Sequence, residues 1–561
     1  MKSSLRFLLT LSVAGCAFAG TIAPDVKTVG MAPVTVVIQF NNSPTASLLS
    51  LIGGNGAVTK RQFSRFPKTQ VISVPAALIP LIAKIPGVKH ISPDRSVRKH
   101  LDLTSATIGA TIARQYGWTG QGIGVAVLDS GVDATNADLK KAGSSASRVV
   151  YSEDFVGTGT RDFYGHGTHV AGIIGSNGAN SGGKFTGIAP GVNIINMRVL
   201  DDQGGGVDSA IIAAINRVIE LQSTYNIRVM NLSLGRGVYE SFADDPLCQA
   251  VEAAWSAGIV VVVSAGNNGR DNTVSNLGYG TITSPGNDPF VITVGAMKSE
   301  GTPVKPDDFI ASYSSKGPTL VDHFVKPDIV APGNLIASLR VPGCTLDVEF
   351  PGNQVSPAVY GGPANGTPAY FLMNGTSMAA PVVSGAAALL LQQNPAMTPD
   401  QVKARLMKTS SKSFPATSVA TDPDTGATFT AYYDMFTIGA GYLDVYAALT
   451  NSDLINGLAV SPVAVFNSST GTISLVNADS IAWDESIAWD ESIAWDESIA
   501  WDEQTVWGLS VFTKGTDNVF TATGSPLAQG NSSASNAIWK SNSTWATSTT
   551  SGERTAMKGE K

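Results

Sequence analysis

Three separated segments of the chain contain the residue types needed for acyl transfer by nucleophilic catalysis. Serine is a poor nucleophile at neutral pH, so it needs a base within hydrogen-bond reach and a third group that orients the base. Asp129 follows the apolar run 125–128, His166 lies in the glycine-rich segment 165–172, and Ser377 lies in segment 374–381. The sequence therefore predicts a nucleophile at Ser377, a general base at His166 and an orienting carboxylate at Asp129.

The other candidates of the same residue types fit these roles less well. His169 follows His166 by three positions, and such a pair can bind zinc, but no third ligand cluster accompanies it. We interpret His169 as a buried structural residue and predict no metal site. Asp133 and Asp138 lie near Asp129, and we expect both to be replaceable.

Strand-like and helix-like runs alternate from residue 120 onward, which is typical of a parallel sheet covered by helices. Strands are predicted at 124–128, 193–199, 229–234, 259–263 and 291–294. Helices are predicted at 166–174, 207–222, 246–257 and 377–393. The predicted fold class is α/β, a doubly wound, mostly parallel sheet with helices on both faces, and its chemistry is expected at the carboxyl ends of the strands.

The order Asp, His, Ser within these three motifs resembles the subtilisin-like serine proteases, or subtilases, over residues 105–450. The resemblance implies a serine endopeptidase of broad specificity that acts on proteins or peptides. It also implies that Asn267, in segment 264–269, donates to the oxyanion beside the Ser377 backbone N–H. Ser233, Leu234 and Gly235 are implied to form a strand edge that pairs with an extended substrate.

Other classes of protein remain as alternatives to an active endopeptidase. They are an inactive homologue that only binds, a surface adhesin and an esterase on an unrelated fold. Every expected catalytic position is filled, which argues against an inactive homologue. The chemistry requires no cofactor; family members often bind structural calcium, but no ligand run assigns such a site here.

The charge distribution divides the chain near residue 100. The 561 residues carry a net charge of −7, with 43% hydrophobic and 14% charged residues, which indicates a globular protein and no nucleic-acid partner. Residues 20–100 contain ten basic and two acidic side chains, whereas later residues contain 25 and 42. Strand patterns at 34–38 and 71–74 and helical patterns at 46–52 and 77–85 predict a small α+β unit.

The basic block, assigned to residues 20–104, resembles the inhibitory propeptide of the subtilases and is expected to be an intramolecular partner that self-cleavage removes near residues 100–106. An independent basic module is the alternative. Residues 1–19 have the pattern of a signal peptide, which predicts a secreted protein without a transmembrane helix after cleavage. Lipidation of Cys16 is a second possibility for that segment.

The remaining chain, residues 451–561, is predicted to be a β-rich or flexible C-terminal extension. It repeats Ser-Ile-Ala-Trp-Asp-Glu four times at 480–503, and this even period suits an extended strand. The repeated tryptophans fit either a binding strip or structural packing, and we favour packing. Cys248 and Cys344 fit either a disulfide or two buried thiols.

Overall fold

The computed structural model describes residues 20–22, 26, 28–63, 67–93, 103–272, 276–422, 425–454, 456–467, 472–476 and 560. The chain divides into two compact units, Met1–Arg98 and Lys99–Lys561. The predicted signal peptide with Cys16 and the repeats at 480–503 lie outside the described residues. The four predicted domains stay a prediction.

The smaller unit contains a five-stranded sheet and two helices, in the strand order β1-β5-β2-β4-β3. Alternate residues of its second strand, such as Val36 and Ile38, are buried and pack against Ile72, Ile79 and Ile82, so one face of the sheet supports a hydrophobic core. Its elements are β1 Thr21–Ile22, β2 Pro33–Phe40, α1 Ala46–Gly54, β3 Val58–Gln62, β4 Thr69–Pro75, α2 Ile79–Ala83 and β5 Val88–Pro93.

The larger unit is built on an eight-stranded sheet of order β12-β11-β10-β9-β6-β8-β7, with β13 beside β11. Every pair is parallel except β11 with β12. The strands are β6 Gly124–Asp129, β7 Val149–Asp154, β8 Asn193–Arg198, β9 Ile227–Leu232, β10 Val260–Ser264, β11 Ile292–Lys298, β12 Phe309–Ile310 and β13 Ile329–Pro332.

Helices and smaller hairpins complete this unit. The helices are α3 Leu103–Thr107, α4 Ala110–Gln115, α5 His166–Gly175, α6 Asp208–Tyr225, α7 Pro246–Ser256, α8 Thr345–Glu349, α9 Thr376–Gln393, α10 Pro399–Lys408, α11 Met435–Ile438 and α12 Val445–Thr450. Three antiparallel pairs follow the main sheet: β14 Ile336–Leu339 with β15 Tyr370–Met373, β16 Thr417–Thr421 with β17 Thr428–Tyr432, and β18 Val463–Asn467 with β19 Thr472–Val476.

The central strands are apolar and covered on both sides, which confirms the predicted doubly wound α/β fold. Every residue of β6 and β10 is buried, as expected for parallel strands between two helical layers. Helix α9 packs against β9, β10 and β11, and its first sixteen residues are buried. No helix among the described residues is long and apolar enough to cross a bilayer.

Candidate active site

A buried carboxylate and a buried imidazole meet at the end of the central strand. Asp129 is the last residue of β6 and only 1% exposed, and its two oxygens lie 2.8 and 3.0 Å from the His166 Nδ1. The Ser130 backbone N–H also donates to the Asp129 carboxylate, at 2.7 Å. A carboxylate that accepts from Nδ1–H favours the tautomer with its lone pair on Nε2, so this imidazole is oriented as a base.

Glycines on both sides of His166 allow its helix to approach the strand so closely. Gly165, at the N-cap of α5, has φ +103°, a conformation that other residues rarely adopt. A Cβ at position 167 would lie 2.2 Å from the Gly131 carbonyl oxygen and 3.0 Å from the Asp129 Cβ. The Gly-His-Gly sequence is therefore a steric requirement for contact between the imidazole and the carboxylate.

Sequence reasoning missed Asp162, which fixes the start of the His166 helix. Its carboxylate accepts from the backbone N–H of Gly165 at 2.6 Å and of Thr168 at 2.8 Å, and from the Ser130 hydroxyl at 2.9 Å. Burial raises the pKa of Asp162 and the nearby Asp129 adds to this, while bonds from Thr168 and Gly165 oppose it. The only sequence signal was an acidic residue four positions before the histidine.

Ser377 is the second residue of α9 and lies against the end of β9. Its hydroxyl donates to the Ser233 carbonyl oxygen at 3.1 Å, and the Ser233 hydroxyl donates back to the Ser377 carbonyl oxygen at 2.8 Å. Asn231 donates to the Ser233 hydroxyl at 2.9 Å. The structure thus brings Asp129 to His166 and ties Ser377 to Ser233, and the Ser377 hydroxyl points to the strand end in this conformation.

The Asn267 side chain is held beside the segment that carries Ser377. Its Oδ1 accepts from the Thr376 backbone N–H at 2.9 Å and from the Thr376 hydroxyl at 3.1 Å. These two hydrogen bonds fix the orientation of the Asn267 side-chain amide, with its oxygen towards Thr376. Gly375 has φ +137°, and a Cβ there would lie 3.2 Å from the Asn267 Nδ2. Thr376 is a second residue that sequence reasoning did not identify.

The predicted strand edge continues directly from β9. Ser233, Leu234 and Gly235 are all buried, and the Leu234 carbonyl oxygen accepts from the Ser264 hydroxyl at 3.3 Å. A Cβ at Gly235 would lie 2.5 Å from the Thr283 hydroxyl oxygen. Their role in substrate binding stays a prediction.

The second histidine of the motif is a buried structural residue. His169 is fully buried, and its Nε2 donates to the Phe371 carbonyl oxygen at 3.0 Å. Burial, together with the neighbouring His166, lowers the pKa of His169 to about 3, so the ring is neutral near pH 7. Within the described ranges, no three His, Cys, Asp or Glu side chains are grouped as metal ligands.

The two described cysteines are free, buried thiols, so the disulfide alternative is wrong. The Cys248 sulfur, in α7, lies 3.4 Å from the Asn287 Oδ1. The Cys344 sulfur lies against Gly165, where an added Cβ would be 2.4 Å away. Burial raises the pKa of Cys344 to about 12, so this thiol is protonated near pH 7.

Comparison of the sequence with known proteins identifies a protein family and several relatives. The Subtilase family model matches residues 120–429, more than half of the chain. Serine protease AprX of Bacillus subtilis (strain 168) is 38% identical over 384 residues, covering 66% of this chain and 81% of that protein. Subtilisin E of the same strain is 32% identical over 368 residues, covering 65% and 81%.

Among solved structures, a cold-adapted subtilisin-like serine proteinase is 27% identical, with a TM-score of 0.37, and the match covers 57% of this chain and 90% of that one. The sequence matches to the family model and to the two Bacillus proteases decide the assignment. The chain belongs to the subtilase family and is a serine endopeptidase that hydrolyses peptide bonds in proteins.

Proposed function

We propose that Ser377 is the nucleophile, His166 the general base and acid, and Asp129 the carboxylate that orients the histidine. The observation that carries this proposal is the buried contact of 2.8 Å between the His166 Nδ1 and the Asp129 carboxylate. The position of Ser377 supports it, because this serine lies in the first turn of α9 and is hydrogen-bonded to Ser233 at the end of the neighbouring strand. Membership of the subtilase family also supports this assignment, because the order Asp, His, Ser in this chain resembles that of the family.

The reaction begins when the Ser377 hydroxyl rotates away from the Ser233 carbonyl oxygen and donates to the His166 Nε2. The Ser377 oxygen then attacks the substrate carbonyl carbon while its proton passes to Nε2. The imidazolium returns this proton to the leaving amine, the C–N bond breaks and an acyl-enzyme remains on Ser377. Water, deprotonated by His166, hydrolyses the ester and restores the hydroxyl.

The oxyanion of each tetrahedral intermediate is stabilised by the Asn267 side chain and the Ser377 backbone N–H. First-turn N–H groups of a helix have no acceptor within that helix, so α9 directs donors at its start. Thr376 holds the Asn267 oxygen, which orients the amide with its Nδ2 as the donor to the oxyanion. Because the amide is already oriented, little reorganisation is needed as charge develops.

Substrate recognition is assigned to the backbone of Ser233, Leu234 and Gly235. An extended peptide that pairs with a strand edge is held through main-chain hydrogen bonds, which do not depend on side-chain identity. This mode of binding supports broad specificity for protein substrates. The chemistry uses side chains and backbone groups only.

We also propose that the enzyme is secreted and made as a self-processing zymogen whose residues 20–104 inhibit the catalytic unit. The opposite charges of the two parts support attraction between them, since the first carries ten basic and two acidic residues up to position 100. Self-cleavage near residues 100–106 then releases the enzyme. A lipid anchor at Cys16 is the alternative to free secretion.

The decisive experiment compares the wild type with Ser377→Ala for self-cleavage near residue 100 and for casein hydrolysis. We expect the variant to remain full length and inactive. Ser356→Ala is the matched control, since this serine is exposed and its side chain caps no helix; it should mature and cleave casein normally. Normal maturation of purified Ser377→Ala, in the absence of other proteases, would contradict the proposal.

The zymogen proposal has a separate test. Residues 20–104, produced alone, should inhibit the mature enzyme at low ionic strength and more weakly at high salt, because charge attraction is screened. Absence of inhibition at low salt would count against an inhibitory propeptide and would leave the catalytic assignment intact.

A further inference from the structure

An acidic residue of the C-terminal extension is buried against the catalytic unit. Glu560 is 6% exposed, and its Oε1 accepts from the Arg270 Nη2 at 2.8 Å and from the Ser312 backbone N–H at 3.0 Å. The Ser312 hydroxyl also bonds to this oxygen. Three donors, one of them charged, therefore converge on one carboxylate oxygen, and such charge-assisted bonds are the strong ones.

The main chain of Glu560 is recognised as well. The Asn334 Nδ2 donates to the Glu560 carbonyl oxygen at 3.0 Å, and the Glu560 N–H donates to the Asn334 Oδ1 at 2.9 Å. We call Arg270, Ser312 and Asn334 the carboxylate notch. Asn334 is 3% exposed and Ser312 is 4% exposed, so the notch is a built polar site within the fold. The two hydrogen bonds between Asn334 and the main chain can form with any residue at this position. The three donors to the side-chain oxygen, in contrast, favour an acidic residue.

The Arg270 guanidinium is held by partners other than Glu560. Asp422 accepts from its Nη1 at 3.1 Å, and the Phe429 ring lies 4.6 Å from its central carbon. The Ser312 hydroxyl accepts from the Arg270 Nε at 2.6 Å. Because these contacts orient the cation, the notch is preorganised for an incoming carboxylate.

Each residue of the notch adjoins a segment that holds the oxyanion site. Arg270 follows Asn267 by three positions. Segment 312–315 is bonded to the same loop, because the Gly269 N–H donates to the Tyr313 carbonyl oxygen at 2.9 Å and the Ser315 N–H to that of Gly266 at 3.0 Å.

Asn334 connects the notch to the nucleophile segment. It follows Gly333, whose carbonyl oxygen accepts from the Gly375 N–H at 2.9 Å, and the Asn374 side chain accepts from the Leu335 N–H. Glu560 thus joins the three segments that position Asn267 and Ser377, two through its carboxylate and the third through its main chain.

We propose that the carboxylate notch is an intramolecular binding site for Glu560, and that Glu560, when bound, is a positioning residue for the oxyanion site. Its ligand is an acidic residue of the same chain. By joining the three segments, Glu560 restricts the motion of the loop that carries Asn267. The binding part of this inference stands alone, and the positioning part rests on the proposed function.

The binding part is tested in the inactive Ser377→Ala protein, where self-cleavage does not interfere. Amide hydrogen exchange is measured for segments 266–272 and 311–316, with and without Glu560→Gln. Glu553→Gln is the matched control, because it removes the same charge from the same extension. We expect amide exchange in both segments to be at least threefold faster in Glu560→Gln and unchanged in Glu553→Gln. A neutral glutamine amide cannot form the ion pair with Arg270 that the Glu560 carboxylate forms. Equal exchange in all three proteins would overturn the site.

The positioning part is tested by steady-state kinetics on a short chromogenic peptide amide. We expect Glu560→Gln to lower kcat about threefold to tenfold with KM unchanged, and Glu560→Asp to restore part of the loss. The melting temperature of each variant establishes that it is folded. A changed exchange rate with unchanged kcat would overturn the positioning role, whereas an inactive wild type would contradict the proposed function and leave the exchange result valid.

Discussion

Replacement of Asp162 by asparagine should displace His166 without altering any atom of the proposed catalytic residues. The Asp162 carboxylate accepts three hydrogen bonds, from Ser130, Gly165 and Thr168. Asparagine keeps one oxygen, which retains the bonds from Ser130 and Gly165 when it takes the Oδ1 position. Its NH₂ group then faces the Thr168 N–H, so two donors oppose each other at the first turn of the His166 helix.

The size of the effect follows from what is lost. A hydrogen bond to a charged group contributes about 1.5–3 kcal/mol, and a negative charge at a helix start contributes about 0.3–1 kcal/mol. We therefore expect the free energy of unfolding to fall by about 2–4 kcal/mol. A shift of the imidazole by a fraction of an ångström to about 1 Å should lower kcat about 10- to 100-fold with little change in KM.

The measurement is kcat and KM on a peptide amide, together with urea unfolding followed by tryptophan fluorescence. Asp133→Asn is the matched control, because its Oδ1 caps only the exposed Thr135 turn, at 3.0 and 2.6 Å, and it should change kcat less than twofold. A kcat for Asp162→Asn equal to that of the control, in a protein of reduced stability, would show that Asp162 supports the fold and not the position of His166.

Three further predictions concern stability, the oxyanion site and the thiols. Burial, with Glu252 adding and Lys326 opposing, raises the pKa of Asp288 to about 8 from the ordinary 3.8. The contribution of Asp288 to the free energy of unfolding should therefore be full below pH 4 and be lost as the pH rises towards 8. Asp288→Asn should remove this contribution from the pH dependence measured by urea unfolding. Gly375→Ala should lower kcat about tenfold or more. The backbone at position 375 has φ +137°, and an added Cβ would lie 3.2 Å from the Asn267 Nδ2, so the segment that contains residue 375 must move. An unchanged kcat would contradict the inference that no Cβ is tolerated beside Asn267. Cys248 and Cys344 should react with iodoacetamide only after unfolding, as judged by mass spectrometry, because both thiols are buried with raised pKa values.

Five strands of the main sheet, β6, β8, β9, β10 and β11, were predictable because they carry the strongest local signal, whereas β7, β12 and β13 were not predicted. The predicted strand 124–128 and helix 377–393 differ from β6 and α9 by one residue at one end. Long, fully buried apolar runs favour only one arrangement, since both faces must be covered. The strand predicted at 229–234 lies at Ile227–Leu232, two residues earlier in the chain. The last two predicted residues form hydrogen bonds with other residues of the site and do not pair with a neighbouring strand of the sheet.

The short hairpins were not predictable in the same way. Strands β16 and β17 alternate between exposed and half-buried residues, apart from Ala431. In β16 the apolar Val419 is exposed and the polar Ser418 is half-buried, so the side-chain types do not follow the burial and do not indicate a strand. Asp422, which follows β16, is bonded to Arg270, 152 positions away, and one sequence read alone does not reveal such contacts.

In the candidate active site, the sequence identified the side chains proposed to take part in the chemistry. It did not identify the residues that position those side chains through hydrogen bonds. Asp129, His166 and Asn267 stand out through their motifs, whereas Asp162 and Thr376 act only by accepting or donating hydrogen bonds. A lone aspartate in a loop is ordinarily a turn former, so the importance of Asp162 becomes visible only when its three donors are placed around it. Those donors come from two segments of the chain, Ser130 after β6 and Gly165 with Thr168 at the start of α5.

This division predicts how substitutions in the two classes should differ. The apolar sheet fixes where the strand ends lie, and its residues are deeply buried, so truncation of Val127 or Val262 should cost stability through cavity formation while the folded fraction keeps its kcat. Asp162, Thr376 and Glu560 instead set angles and distances of fractions of an ångström between strand ends that the sheet has already brought together. Their substitution should lower kcat more than it lowers the melting temperature, because a catalytic hydrogen bond is more sensitive to a small displacement than a packed core is.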